Sequence, residues 1–560
     1  MKKLGLRVGF AAGLGMLSAM ASAQTADRVF LNANVRTAHD GQPTAEGVAV
    51  LDGRIAYVGG GRSLGAWIGP NTDVVDLGGA TLLPGLTDAH AHLLGIGLRE
   101  LTLNLDHVRS VADLQAAIAE TAQAQSEGAI VGRGWIETGW PEDRFPNAAD
   151  LDAVVADRPV VLTRADGHSL LANSAALAAA GITAQTEDPD GGQIVRDGEG
   201  RATGLLVDNA MALVGGLVDA PSVELKARAY VRGANVYAEL GWTGVHNMSV
   251  SLADVALIEQ LANDGLLPLR VYNCVNAEDA QALFDAGARV EAEGRVVTRG
   301  VKFYMDGALG SRGALLAEPY ADADTTGLQL AKEAESRALM DQALAHGVQL
   351  CIHAIGDRAN TLALDWMEAA FEARPLEARA YPEPRWRIEH AQIVDLADIP
   401  RFKALGVIAS MQPSHAIGDL YFAPDRLGPD RLDGAYAWAR LVASGAVIAG
   451  GSDAPVEKGD PRIELYAARV RAGLDGFQNK AWRPDQAVPS DTALKMFTLW
   501  PAYAAFQEDD LGSVAVGKKA DFSVFDHDPT SVAGEAILQT QALMTVIDGD
   551  IVWRRKPSAG

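Results

Sequence analysis

His90 and His92, one residue apart in the run LTDAHAH, are the first residues of this 560-residue chain with an evident chemical use. On a β-strand such a pair shares one face, about 6.6 Å apart. His353, His390 and Asp453 close three later apolar runs, and Lys302 lies inside another. Neutral imidazole with carboxylate is the ligand set for zinc or a similar divalent ion. Any one of these residues alone would read as a packed core group. Six together do not, because burying them without a metal costs several kcal/mol each.

The runs that carry them define a scaffold. Eight short apolar segments, at 86–92, 242–248, 268–274, 300–306, 347–354, 386–391, 406–411 and 446–453, alternate with amphipathic stretches such as ADVALIEQLANDG that end in glycine. Continuously apolar strands alternating with helices predict a parallel sheet, and eight repeats predict an α/β fold, the (β/α)8 TIM barrel. The six residues then fall in strands 1, 4, 5, 6 and 8, toward the C-terminal ends where barrel active sites lie. Both chain ends alternate strand-like runs with tight turns, Asp52-Gly53 and Asp548-Gly549 among them. They predict one small β-sandwich from 24–82 and 507–560, around a barrel at 83–506. A long insertion, at about 95–240, separates the first two barrel strands.

A formal charge of −24 repels phosphate backbones and argues against nucleic acid as a partner. Lys2, Lys3 and Arg7, the apolar stretch 9–20 and Ala21-Ser22-Ala23 read as a secretory signal peptide over 1–23. The segment is too short and glycine-rich for stable membrane insertion, although an uncleaved anchor is the alternative. The mature chain is expected to begin at Gln24 and to be secreted or periplasmic. Cys274 and Cys351 each lie in an apolar run and are expected as buried free thiols, with no disulfide framework.

With HAH, Lys302, His353, His390 and Asp453 in this order, the chain resembles the amidohydrolase superfamily. The runs VKFYMDGALGSRGALL, CIHAIGDRA, RIEHAQ and GSVAVGKKADFSVFD resemble its amidohydrolase-3 branch, the YtcJ-like proteins and N-substituted formamide deformylases, over essentially the whole mature chain. The resemblance implies two divalent metal ions, with zinc the expected element. It implies His90, His92 and Asp453 on one metal, His353 and His390 on the other, and a carboxylated Lys302 bridging both. It further implies hydrolysis of an amide-type C–N bond in a small molecule by a metal-activated hydroxide. Asp453 would carry the proton from water to the leaving nitrogen. Charge agrees for Lys302, since an ammonium is repelled by two cations and a carbamate offers them two oxygens. A plain lysine, salt-bridged for example to Asp306 beside a single metal, is the other reading.

Asp166 and His168 in the insertion, Ser311 and Arg312 after strand 4, and His415 after strand 7 are candidates for substrate contact. A turn at Asp166-Gly167-His168 and a salt bridge at Arg312 are the structural alternatives. His246, Trp135 and Trp140 read as packing. The competing functions are a mononuclear deaminase or an ester or lactone hydrolase of the same superfamily. A non-catalytic binding protein on the same barrel would be marked by lost ligands, and none of the six is lost. Oligomeric state stays open, a homodimer included.

Overall fold

Eight apolar segments build one parallel sheet, the core of the computed structural model, which describes residues 25–217, 220–476 and 481–556. The proposed signal peptide lies outside the described residues. In chain order the barrel strands are β1 (Leu86–Ala91), β2 (Trp242–Val250), β3 (Arg270–Asn276) and β4 (Val296–Tyr304). β5 (Gln349–Ala354), β6 (Arg387–His390), β7 (Ile408–Met411) and β8 (Ile448–Gly450) complete the set. Each is hydrogen-bonded to the next, and nearly every residue is buried, as a sheet covered on both faces requires. Among the described residues no ladder joins β8 to β1. The seam closes just beyond the strands, where the His92 N–H donates to the Ala454 carbonyl at 2.8 Å and the Asp453 N–H to the His90 carbonyl at 2.7 Å. The segments that shut the barrel are therefore the ones that carry three of the candidate ligands.

Two helices flank the insertion, α1 (Leu93–Leu101) and α2 (Val223–Leu240). Ser222 caps α2 by accepting from the Leu225 N–H, and left-handed Gly241 ends it. The two helices touch backbone to backbone: a Cβ at Gly97 would stand 1.8 Å from the Ala229 carbonyl oxygen. Their apolar faces, with Leu93, Ile96, Tyr230 and Tyr237, join the barrel's core. The insertion's own six-stranded sheet runs only from Leu103 to Asp208, over a separate core that includes Trp135, Trp140 and Leu162. It is narrower than the 95–240 span because helical periodicity does not reveal which core an apolar face joins.

The sandwich draws on both chain ends. One sheet has four strands between Arg28 and Asp76. In the other, Phe522–Phe525 lies antiparallel to Thr81–Pro84 and is followed by Ala542–Ile547 and Asp550–Arg554. Phe30, Val48, Leu82, Phe522 and Val546 share their core. No helix among the described residues is long and apolar enough to cross a membrane.

Candidate metal centre

Each proposed histidine ligand has one ring nitrogen tied to a fixed partner, which leaves the other for the centre, the usual arrangement around a metal. His90 Nδ1 lies 2.6 Å from Glu389 Oε2, and its Nε2 is 3.3 Å from Lys302 Nζ and 3.5 Å from Asp453 Oδ1. His92 Nδ1 meets the Met248 carbonyl at 3.1 Å, and its Nε2 is 3.2 Å from Asp453 Oδ1. His390 Nδ1 sits 2.9 Å from Gln412 Oε1. His353 Nε2 is 3.5 Å from the Gly307 carbonyl and 3.6 Å from Asp306 Oδ1, with its ring 4.5 Å from that of His390. Ligand atoms of His90, His390 and Asp453 all fall within 4.8 Å of one another.

The electrostatics suit a cation. Burial, reinforced by nearby Lys302, holds His90 well below its ordinary value. Burial likewise lowers His353, with His168 adding to it, and His390, with His353 adding to it. These shifts favour the neutral imidazole, the form that binds metal. Burial alone would raise Asp453, yet His90 and His92 hold it below the usual carboxylate range. Its Oδ1 is buried 3.2 Å from His92 Nε2, out of line for a hydrogen bond, and has no other hydrogen-bond partner among the described residues. A buried carboxylate oxygen without a well-aligned hydrogen bond, set among imidazole nitrogens, is a poor resting state and a good ligand set, so a divalent metal fits.

Lys302 is 2% exposed, and among the described residues no carboxylate stands within ion-pair distance of its Nζ. Asp306 does not pair with it. That carboxylate accepts instead from the backbone N–H groups of Leu315, Ile355 and Gly356 at 2.8, 3.0 and 2.8 Å. His390 and Asp453 have φ of 75° and 59°, in the left-handed region that costs such residues about 1–3 kcal/mol each. Strain of that size at two proposed ligands is tolerable only where the surroundings impose it.

Several supporting groups escape sequence reasoning. Glu389 holds His90 and stands 2.7 Å from Arg387 Nε, off the hydrogen-bond line. Arg387 in turn donates to Ser410 Oγ at 2.7 Å and to His246 Nδ1 at 2.8 Å, which makes His246 part of the barrel's polar interior. Burial pushes Asp88 up to about 6, although it accepts from the Ser452 N–H and hydroxyl, the Tyr237 hydroxyl and the His90 N–H. Alternating strand positions mark these residues only as buried. Glu389→Gln is expected to weaken metal binding about 10–100-fold, the usual effect of losing such a partner. Chelator competition measures it, with unfolding of the metal-free variant as control for stability; unchanged affinity would reduce Glu389 to packing.

The insertion covers the barrel mouth. Asp166-Gly167-His168 forms the tip of a hairpin between Val160–Arg164 and Ser169–Ala172. His168 Nδ1 contacts Asp208 at 2.7 Å and its ring lies 5.1 Å from that of His353, while Asp166 pairs with Arg164 and caps the His168 N–H. Burial would lower His168, but Asp208 raises it overall. His415 Nε2 stands 3.6 Å from Asp453 Oδ2 and its ring stacks on His390. A cavity of about 640 Å³ joins Asp166 and His168 to His92, Lys302, His353, His390 and Asp453, within the size range of small-molecule sites. Ser311 and Arg312 are not in that lining. Arg312 is held by Asp322 through two hydrogen bonds of 3.1 and 2.9 Å, and Ser311 donates to the Ala308 carbonyl. Arg133, from the insertion, is in it. Its Nε is buried without a hydrogen-bond partner, and no carboxylate among the described residues lies within ion-pair distance. Burial pulls it down to about 10, so it remains a cation at neutral pH.

Comparison with known proteins agrees with this geometry. The amidohydrolase family matches residues 73–553. The chain is 34% identical to YtcJ of Bacillus subtilis (strain 168), over 91% of this chain and 96% of that one. It is 28% identical to the N-substituted formamide deformylase of Arthrobacter pascens, over 96% and 100%. A crystal structure of an uncharacterized metal-dependent hydrolase from Pyrococcus horikoshii OT3 superposes with a TM-score of 0.72 at 26% identity, covering 90% of this chain and 98% of that one. By sequence, by fold and by its histidine–aspartate centre, the chain belongs to the amidohydrolase family and is a metal-dependent hydrolase.

Proposed function

We propose that the protein hydrolyses an amide-type C–N bond of a small molecule at a two-metal centre, with zinc as the metal and Asp453 as the proton carrier. The observation that supports this best is Asp453 itself: an ionised, buried carboxylate, without a well-aligned hydrogen bond at Oδ1 and ringed by His90, His92 and His415. His90, His92 and Asp453 would hold one metal, His353 and His390 the other, with carboxylated Lys302 between them. Bound metals supply Lewis acidity and lower the pKa of water from about 15.7 toward about 7. The chain's own groups do the rest. Asp453 accepts the proton that water releases and returns it to the departing nitrogen. His168, whose proton Asp208 helps to hold, can donate a hydrogen bond into the cavity from the side of His353. His415 sits behind Asp453 Oδ2, where it can relay the proton. Asp166 holds the hairpin tip, through Arg164 and the His168 N–H, in place over the site.

Arg133 favours a substrate with an acidic group, since it is a cavity cation with no carboxylate among the described residues within ion-pair distance. Turnover of N-acyl, formamide, carbamate, ester and lactone compounds by zinc-loaded protein tests the reaction class. Hydrolysis of esters and lactones with no amide-type compound cleaved would sink it. In the same assay Arg133→Gln should raise KM about tenfold or more for acids, given about 1.5–3 kcal/mol for a hydrogen bond to a charged group. Neutral substrates should be unaffected, and equal loss on both would remove Arg133 from recognition. A mononuclear deaminase is the second reading, and one tightly bound metal per chain would favour it. We also infer export, from the basic start and Ala-Ser-Ala site. Intact mass of the exported protein should begin at Gln24, against Met1 in a retained one.

A further inference from the structure

Below the metal centre, inside the barrel, two sulfurs meet. Cys274 on β3 and Cys351 on β5 are not neighbours in the sheet, because β4 runs between them. Both are completely buried, and their Sγ atoms stand 2.6 Å apart. That is well inside the roughly 3.5–4.0 Å at which even smaller carbon atoms rest against each other. It lies within about 0.6 Å of a disulfide bond length. The approach depends on β4 presenting no side chain there. Gly300 is the register partner of Cys274, and a Cβ on it would fall 2.3 Å from the Cys274 sulfur. In a barrel, inward-facing residues of alternate strands share a layer, which is how strands 3 and 5 can reach across strand 4. Met248, Tyr272, Val297 and Ala505 pack around the two cysteines, and among the described residues no His, Asp or Glu joins them in a group that could hold a metal. Two thiols alone fall short of the four ligands of a structural zinc site.

We propose that Cys274 and Cys351 form a disulfide across Gly300, made while the chain folds in an oxidising compartment. Each thiol loses a proton, the two sulfurs lose two electrons between them, and one S–S bond forms. The electrons and protons pass to a disulfide-bearing oxidant, either a dithiol oxidase or glutathione disulfide, which leaves as two thiols. Timing follows from burial. Burial, with Cys274 adjoining, pushes the Cys351 thiol far above its ordinary value, so once folded it yields almost no thiolate to start the exchange. The unfolded chain has no such barrier, and the export signal read at the N-terminus would deliver it to a compartment of that kind. The bond would close a loop between residues 77 apart, a long one, for which the stabilisation of the folded state is largest. It would also tie together the two strands that flank β4, the strand of Lys302.

The full-length protein, unfolded and refolded in a mixture of oxidised and reduced glutathione, gives the test. After denaturation without reductant the chain should be about 2 Da lighter than the reduced chain and should titrate no thiols. Proteolysis should yield one peptide pair joining Cys274 to Cys351. Reduction of the wild type should lower its Tm by roughly a few degrees. The Cys274→Ala/Cys351→Ala variant should show the same Tm with and without reductant. Two free thiols per chain after that refolding, at unchanged mass, would overturn the proposal whatever the thermal data showed.

Discussion

Asp453→Asn should keep most of its metal and lose roughly 10²-fold or more of its amide turnover, the usual scale for removing a general acid–base group. An amide nitrogen is a poor leaving group and must be protonated as it departs. The site therefore needs a group that first takes a proton from water and then gives it up. Asp453 is placed for both steps. Its Oδ1 is 3.2 Å from His92 Nε2 and 3.5 Å from His90 Nε2, while its Oδ2 looks toward His415 at 3.6 Å. The histidines keep it ionised despite burial, so it starts as the base. Asparagine preserves the size and one oxygen but cannot carry a proton, and His90 and His92 remain to hold metal. Elemental analysis and turnover on matched amide and activated-ester substrates separate the roles. An activated ester needs no proton on its leaving group, so its loss should be smaller. Amide hydrolysis near the wild-type rate with metal in place would rule Asp453 out as the proton carrier.

What could be seen in advance followed from periodicity. Strands buried on both faces announce themselves as short apolar runs, and a polar residue that interrupts one is conspicuous, which is why His90, His92, Lys302, His353, His390 and Asp453 stood out. All six face one centre. Groups that act through another residue carry no such mark. Glu389 lies next to His390 in sequence, yet its partner is His90, 299 residues away, and only the closed barrel brings them together. Arg133 and Arg312 show the same limit from opposite sides. Both are arginines in glycine-flanked runs, and what separates them is an ion pair: Arg312 has Asp322 ten residues on, and Arg133 has none among the described residues. An expectation of substrate contact at Arg312 came from its place after β4, but charge pairing decides whether a cation is available.

Lys302→Ala should lose metal as well as activity, by at least the factor expected for Asp453→Asn, because it removes a support of the centre rather than a proton carrier. As a plain ammonium, Lys302 would be a buried cation 3.3 Å from His90 Nε2 and 5.0 Å from the Tyr304 ring centroid, with no carboxylate among the described residues within ion-pair distance. Burying an uncompensated charge costs several kcal/mol. Carboxylation does more than neutralise it. Nζ first gives up one proton and then attacks carbon dioxide; an N–C bond forms, one C–O π bond opens, a second proton leaves, and a cation becomes an anion with two oxygens. Short carboxylic acids should therefore restore part of both metal content and turnover in Lys302→Ala by supplying those oxygens in the vacated space, while Lys302→Arg should gain nothing from them. Wild-type protein prepared with ¹³C-labelled bicarbonate should show one carbamate carbon signal per chain, absent from both variants. That signal does not depend on substrate choice or metal loading during assay. A wild type with no labelled carbamate and one metal, together with a Lys302→Ala variant that retains it, would instead make Lys302 an ordinary lysine and the centre mononuclear.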